Sequence, residues 1–210
     1  MITLTDQSQQ TKVLKPIRSG SLFYLGFFLS TGSFGPFLYV YYSELGLTGQ
    51  QVGLLATFFP LMTLVFATPL SSLADRKRWR IRMVQTALLL VAVIFFFMQF
   101  PSTFSGVALL MLPMAMGFSP VMSLADSLIA RMAQRHKINY GSMRMWGSVG
   151  FACAAFVFGA IWGRVGFKPM FVVGSLILLP LIWITGQLEE GPIRDPQDRA
   201  PIKILFRDSG

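Results

Sequence analysis

Asp126 and Arg144 are the side chains whose placement asks for an explanation, because both fall inside apolar stretches of LADSLIARMAQRHKINYGSMRMWGSVGF, residues 124–151. Ser119, Ser123 and Asp126 follow an i, i+4, i+7 spacing, and so do Arg144, Ser148 and Phe151, which puts each set on one face of a helix. An acid and a guanidinium on facing stripes can pair, can grip a polar solute, and can exchange a proton. Bond-making chemistry has no equipment: the sequence offers no nucleophile–base pair, no paired embedded carboxylates and no GxxxxGK[ST] loop, so it reads as neither an enzyme nor an ATP-driven pump. One cysteine, Cys153, and one histidine, His136, in a polar stretch that reads as solvated loop, give no metal or cofactor site.

The elements that hold these residues are set by hydropathy. Hydrophobic side chains make up 53% of the 210 residues and charged ones 13%, with a mean hydropathy of +0.59. That composition belongs to a membrane protein, and the chemistry above must therefore be carried by helices long enough to cross about 30 Å of hydrocarbon. Six spans are expected, at 19–43, within 45–74, at 83–100, 105–130, 141–163 and 168–187. Pro60 and Pro69 mark bends in the second, and Pro113, Gly117 and Pro120 sit inside the fourth. The fold class is an all-α membrane protein. Residues 1–18 read as an N-terminal segment, 19–187 as the bundle, and 188–210, polar and proline-bearing, as a linker or tail.

Asp126 lies near the inner end of the fourth span and Arg144 near the start of the fifth, so at about 1.5 Å per residue both sit roughly 5–6 Å inside and can meet. A charge costs about 2.5–3.5 kcal/mol at a helix centre and less toward an end, which a span of apolar residues absorbs, but neither charge should face lipid. The bland alternative is a salt bridge that only pins two helices together. The serines, with Gly147, Gly150 and the Gly159–Gly163 pair, equally suit close helix packing, and Phe151 equally suits plain core. Tyr24 and Thr31 share a face of the first span that could reach the same cavity, although a phenol near an interface is usually an anchor.

Lys12, Lys15 and Arg18, then Arg76, Lys77, Arg78, Arg80 and Arg82, then Arg131, Arg135 and Lys137 fall on one side, against Arg164 and Lys168 on the other. Cytoplasmic loops collect Lys and Arg, so both termini are expected in the cytoplasm and the chain in the plasma (inner) membrane. The net charge of +9 then reflects topology, with anionic head groups as counter-charge and no nucleic acid needed. Tyr39, Tyr41, Tyr42 and Trp162 are placed in an outer aromatic belt, Trp146 and Trp183 in an inner one.

SSLADRKRWR after the second span resembles the signature between helices 2 and 3 of the major facilitator superfamily, with Asp75, Arg76 and Arg80 matching and Ser71 and Arg78 standing where the family has glycine. YGSMRMWGSVGF and FSPVMSLADSL resemble helices 5 and 4 of its oligosaccharide–proton symporter, nucleoside symporter and phenylpropionate permease-like branch. The resemblance runs from the first span to the tail and corresponds to the N-terminal six of twelve helices. It implies two inverted three-helix repeats in each half and a solute site between the halves, lined here by Asp126, Arg144, Ser148, Phe151, Ser123 and Ser119. It also implies a gate at Asp75, Arg76 and Arg80, in which Asp75 caps a helix N-terminus and pairs across the halves. Phe151 stands where the sugar-binding branch has tryptophan, which favours an aromatic acid, a nucleoside or a small glycoside over a disaccharide. The implied activity is secondary transport of a small organic solute, the expected partners being a proton and either a C-terminal six-helix half or a second copy. The alternative is a six-helix membrane subunit or truncated product that does not transport.

Overall fold

The computed structural model describes the backbone of residues 4–190 and the side chains of residues 14–190. It is built from helices: α1 (Leu4–Phe34), a 3-10 turn (Gly35–Phe37), α2 (Leu38–Glu44), α3 (Gly49–Lys77), α4 (Arg80–Phe97), α5 (Phe104–His136), α6 (Tyr140–Val165) and α7 (Pro169–Thr185). No strand occurs among the described residues. Five spans have the length and hydropathy to cross a membrane, the first of them Leu14–Glu44, which runs through α1, the turn and α2. At 17 residues, α7 reaches about 26 Å, the lower end of what crosses.

The six expected spans are all present, but their ends lie elsewhere. The basic stretch DRKRWRIR is helical except at Arg78 and Trp79, and RMAQRHKINYG is helical except at Lys137, Ile138 and Asn139. Hydropathy marks where lipid ends, and a helix can continue into water until something stops it. Here the stop is the same twice: Arg78 (φ 55) and Lys137 (φ 54) adopt the left-handed conformation. The next amide then bonds back to the carbonyl five residues earlier, Trp79 N to Ala74 O at 2.9 Å and Ile138 N to Ala133 O at 2.8 Å. At the other ends α3 opens with a capping box between Thr48 and Gln51, while Thr103 caps α5 and Asn139 caps α6. Pro36 lies in the turn that breaks the first span.

Packing pairs α1 with α6 and α7, α5 with α3 and α4, and α4 with α7. Exchange the first span with the fourth, the second with the fifth and the third with the sixth, and this pattern maps onto itself. Each repeat contains three crossings, an odd number, so the second runs opposite to the first. This is the two-repeat inverted arrangement that the family resemblance implies.

Phe34, Phe95 and Phe171 form an aromatic column between α1, α4 and α7, with ring centroids 4.3 and 5.2 Å apart. Two of the hydrogen bonds between helices in this core end on backbone carbonyls: Ser30 donates to Gly174 O at 3.1 Å and Ser175 to Ala92 O at 2.8 Å. Gly147 and Gly150 are packing positions, since a Cβ on Gly150 would lie 2.6 Å from Leu25 O, whereas Gly163 meets nothing within 4 Å and forms no such contact with Gly159. The aromatic belt needs correction. Tyr39, Trp146 and Trp183 are exposed, but Tyr41, Tyr42 and Trp162 are buried. Trp162 donates to Ser33 O at 2.8 Å, a carbonyl freed by the break after Phe34, so its polar edge is satisfied inside the protein rather than at the lipid surface.

Candidate functional site

Arg144 Nη1 donates to Asp126 Oδ2 at 2.9 Å, so α5 and α6 bring the two charges together as their depths predict. The other carboxylate oxygen is held by two phenols. Tyr24 Oη donates to Asp126 Oδ1 at 2.5 Å, and Tyr140 Oη lies 3.2 Å from the same oxygen. Tyr24 and Tyr140 are 2.8 Å apart, and Arg144 Nη1 also donates to Tyr140 Oη at 2.9 Å. Four side chains from three helices thus make one network. Tyr24 projects from α1, which crosses α6 closely because Gly147 and Gly150 let it. Tyr140 is placed by the Asn139 cap that starts α6, one turn before Arg144.

The network is open on one side. Tyr24 is fully buried, but the Asp126 and Arg144 side chains retain 32% and 49% of their exposure. Arg144 spends one terminal nitrogen on its partners and carries its guanidinium 5.9 Å from the Tyr24 ring centroid. Its remaining N–H donors meet no protein acceptor among the described residues, which leaves a planar fork of the kind that takes a carboxylate or a pair of hydroxyls.

The other residues of the two stripes differ. Ser119 is buried and donates to Met116 O at 2.8 Å within its own helix. Ser123 donates to Pro120 O at 3.1 Å, and its hydroxyl also lies 2.9 Å from that of Ser71, linking α5 to α3. Ser148 and Phe151 are exposed on α6. Thr31 bonds back to Phe27 O at 2.8 Å. Sequence reasoning favoured an interface anchor for Tyr24 over a place in the cavity and passed over Tyr140; the one available signal for Tyr140 was that it precedes Arg144 by four residues, one turn of the same helix face.

At the basic end, Arg80 is 2% exposed and its Nε donates to Asp75, while Arg76 is exposed. One terminal nitrogen of Arg80 is buried without a partner. Asp75 sits in the last turn of α3 and caps no helix N-terminus among the described residues. The first turn of α4 instead receives Glu190, whose Oε1 accepts from Ile81 N at 3.0 Å. Glu189 accepts from Arg135 Nη1 at 3.1 Å and lies 3.1 Å from His136 Nε2, and Leu188 is buried. The start of the expected tail is therefore docked, and His136 faces an acid rather than solvent; residues 191–210 lie outside the described residues. Partial burial raises the Glu189 pKa, but the hydrogen bonds and charges of His136 and Arg135 outweigh it and hold the carboxyl below its ordinary value. No cluster of metal-ligating groups occurs among the described residues.

Residues 17–189 match the MFS_1 like family. The chain is 28% identical over 176 residues to the maltose permease of Geobacillus stearothermophilus, covering 83% of this chain and 45% of that one. It is 33% identical over 158 residues to the probable 3-phenylpropionic acid transporter of Escherichia coli (strain K12), covering 71% and 39%. In structure it resembles the nucleoside transporter NupG with a TM-score of 0.73 at 18% identity, over 84% of this chain and 45% of that chain. The chain spans about half the length of the curated relatives it matches. With its pseudo-symmetric pair of three-helix repeats and a family match across nearly all the described residues, the chain is a multi-pass membrane protein that belongs to the MFS_1 like family, a transporter family of the major facilitator superfamily.

Proposed function

We propose that the chain is the N-terminal half of a secondary transporter for a small organic solute, an aromatic acid, nucleoside or sugar, and that Asp126 and Arg144 bind that solute and couple it to a proton. The observation that carries this is the half-exposed Arg144 fork, paired with Asp126 through a single nitrogen. When solute takes the guanidinium, the carboxylate loses its counter-charge in a site of low dielectric. Two phenols still hold its other oxygen, and where the solute is itself an anion, as an aromatic acid is, a proton on Asp126 keeps the loaded site neutral. The names of the relatives, a maltose permease and a probable 3-phenylpropionic acid transporter, favour a sugar or an aromatic acid. Ser148 and Phe151, exposed on the Arg144 face, line the solute path, with Ser119 and Ser123 on the opposing helix. Asp75, Arg76 and Arg80 form the gate. The basic side is cytoplasmic, both termini lie there, and the chain sits in the plasma (inner) membrane. Residues 188–210 lead to a second six-helix half that closes the site. Because the chain spans about half of its relatives, the second reading is a six-helix subunit that does not transport until it meets that half or another copy of itself.

The test is uptake of labelled maltose, uridine and 3-phenylpropionate into liposomes under an imposed pH gradient. The chain alone gives no uptake, and adding a matching six-helix C-terminal half in trans gives proton-driven uptake of one of the three. Arg144→Gln abolishes it. The exchange Asp126→Arg with Arg144→Asp keeps the ion pair and leaves transport dead; restored uptake in the exchanged protein would reduce the pair to a structural bridge.

A further inference from the structure

Beside the turn between α3 and α4, the basic end of the protein carries a cleft of about 570 Å³ whose walls include Lys77, Arg78, Trp79, Arg82, Gln85 and Glu190. Lys77, Arg78 and Arg82 are exposed and form no ion pair among the described residues. Lys77 Nζ is held 4.8 Å over the Trp79 ring, and Gln85 is fixed by donating to Ile182 O at 2.8 Å. The acid on the lip, Glu190, is engaged with Ile81 N. Three cations therefore surround a built concavity with one spoken-for carboxylate.

Two apolar stripes run from this cleft toward the far side of the membrane. On α4 the face that carries Arg82 continues through Leu89, Val93 and Phe96, all exposed. On α7 the face that runs up to Gly186, the residue that ends the helix and part of the cleft wall, carries Trp183, Leu179 and Leu176, likewise exposed. The helices α4 and α7 pack on each other, so both stripes descend from one cationic head. We infer that this cleft is a binding site for an anionic diacyl phospholipid, with the phosphate among Lys77, Arg78 and Arg82 and the acyl chains along the exposed faces of α4 and α7. The paired stripes select lipid over free phosphate, because a free anion has no use for them. Trp79, half-exposed at the rim, marks the head-group level.

The test reconstitutes the chain in phosphatidylcholine vesicles and exchanges in dibrominated phosphatidylglycerol or dibrominated phosphatidylcholine, whose bromines quench nearby tryptophan. The Trp79 contribution is the difference between the wild type and Trp79→Phe. Phosphatidylglycerol is preferred at Trp79, and the preference falls about fivefold for each of Arg78→Gln and Arg82→Gln. It survives Arg82→Lys, which guards against a folding defect, and it rises in Glu190→Gln. Lys137→Gln removes a charge on the same basic side outside the cleft and leaves the preference unchanged. Equal quenching by the two lipids overturns the site, as does a Lys137→Gln effect as large as that of Arg82→Gln, which means diffuse attraction. Displacement of the brominated phosphatidylglycerol by inorganic phosphate at fixed ionic strength overturns the lipid assignment.

Discussion

Tyr24 has no solvent-exposed surface and ends 2.5 Å from Asp126, a charge-assisted hydrogen bond of the kind worth about 1.5–3 kcal/mol. Tyr24→Phe keeps the ring and its packing, so it isolates the hydroxyl. The expected cost is about 2 kcal/mol in reversible unfolding in mixed micelles; a change too small to measure would mean the carboxylate does not depend on that phenol. The ion pair itself is worth less than its buried setting first suggests. With the Asp126 and Arg144 side chains 32% and 49% exposed, loss of either charge costs about 1 kcal/mol of stability rather than the 3–5 of a fully buried pair. Function, not folding, is where their removal should register. Asp126 and Arg144 were legible in the sequence because a charge in an apolar run is costly and conspicuous. Tyr24 was not, since a phenol is at home at an interface, in a core or in a site, and only its neighbours decide which.

At the scale of elements, the contact between α1 and α6 sets the positions of Tyr24 and Arg144 relative to each other. Its small residues leave no room: a Cβ on Gly150 would lie 2.6 Å from Leu25 O, and one on Gly32 would lie 2.7 Å from Phe151 O. Both obstacles are backbone and cannot swing aside. Gly150→Ala must separate the helices and is expected to destabilise by about 1–3 kcal/mol, the usual cost of overpacking. Gly163 on the same helix faces open space, so Gly163→Ala should stay within about 1 kcal/mol of the wild type. Urea or thermal unfolding followed by circular dichroism separates the two, and equal effects would deny the close crossing its role. The sequence marked Gly147 and Gly150 as packing residues but gave Gly159 and Gly163 the same standing. Spacing alone does not say which side of a helix finds a neighbour.

The whole molecule is a pseudo-symmetric pair of repeats whose basic end is tied together by its own last described residues. Glu189 joins the end of α5 and Glu190 the start of α4, one helix from each repeat. Next to Glu190's contact at Ile81, Arg80 is buried against Asp75 with one nitrogen unpartnered. If that pair biases the equilibrium between access states, then Asp75→Asn, in an assembly complete enough to transport, lowers the uptake rate several-fold and leaves solute affinity nearly unchanged. Rate measurements and equilibrium binding on the same preparation check this; an unchanged rate removes the gate. Asp75 is 45% exposed, so a modest stability loss of about 1 kcal/mol accompanies either outcome.

By itself the sequence determined the membrane class, six spans, the basic side and the two charges that must face away from lipid. Each of these follows from local hydropathy and from the cost of placing charge in hydrocarbon, quantities that a stretch of chain carries with it wherever it goes. The tertiary structure alone decided that Tyr24 and Tyr140 close on Asp126, that Trp162 turns inward to a carbonyl freed by the break after Phe34, and that Glu189 and Glu190 dock the chain back onto α5 and α4. Those outcomes depend on which helices become neighbours. A phenol, an indole or a surface carboxylate is satisfied equally well by water, head group or protein, so its partner is chosen by proximity, and proximity exists only once the bundle has packed.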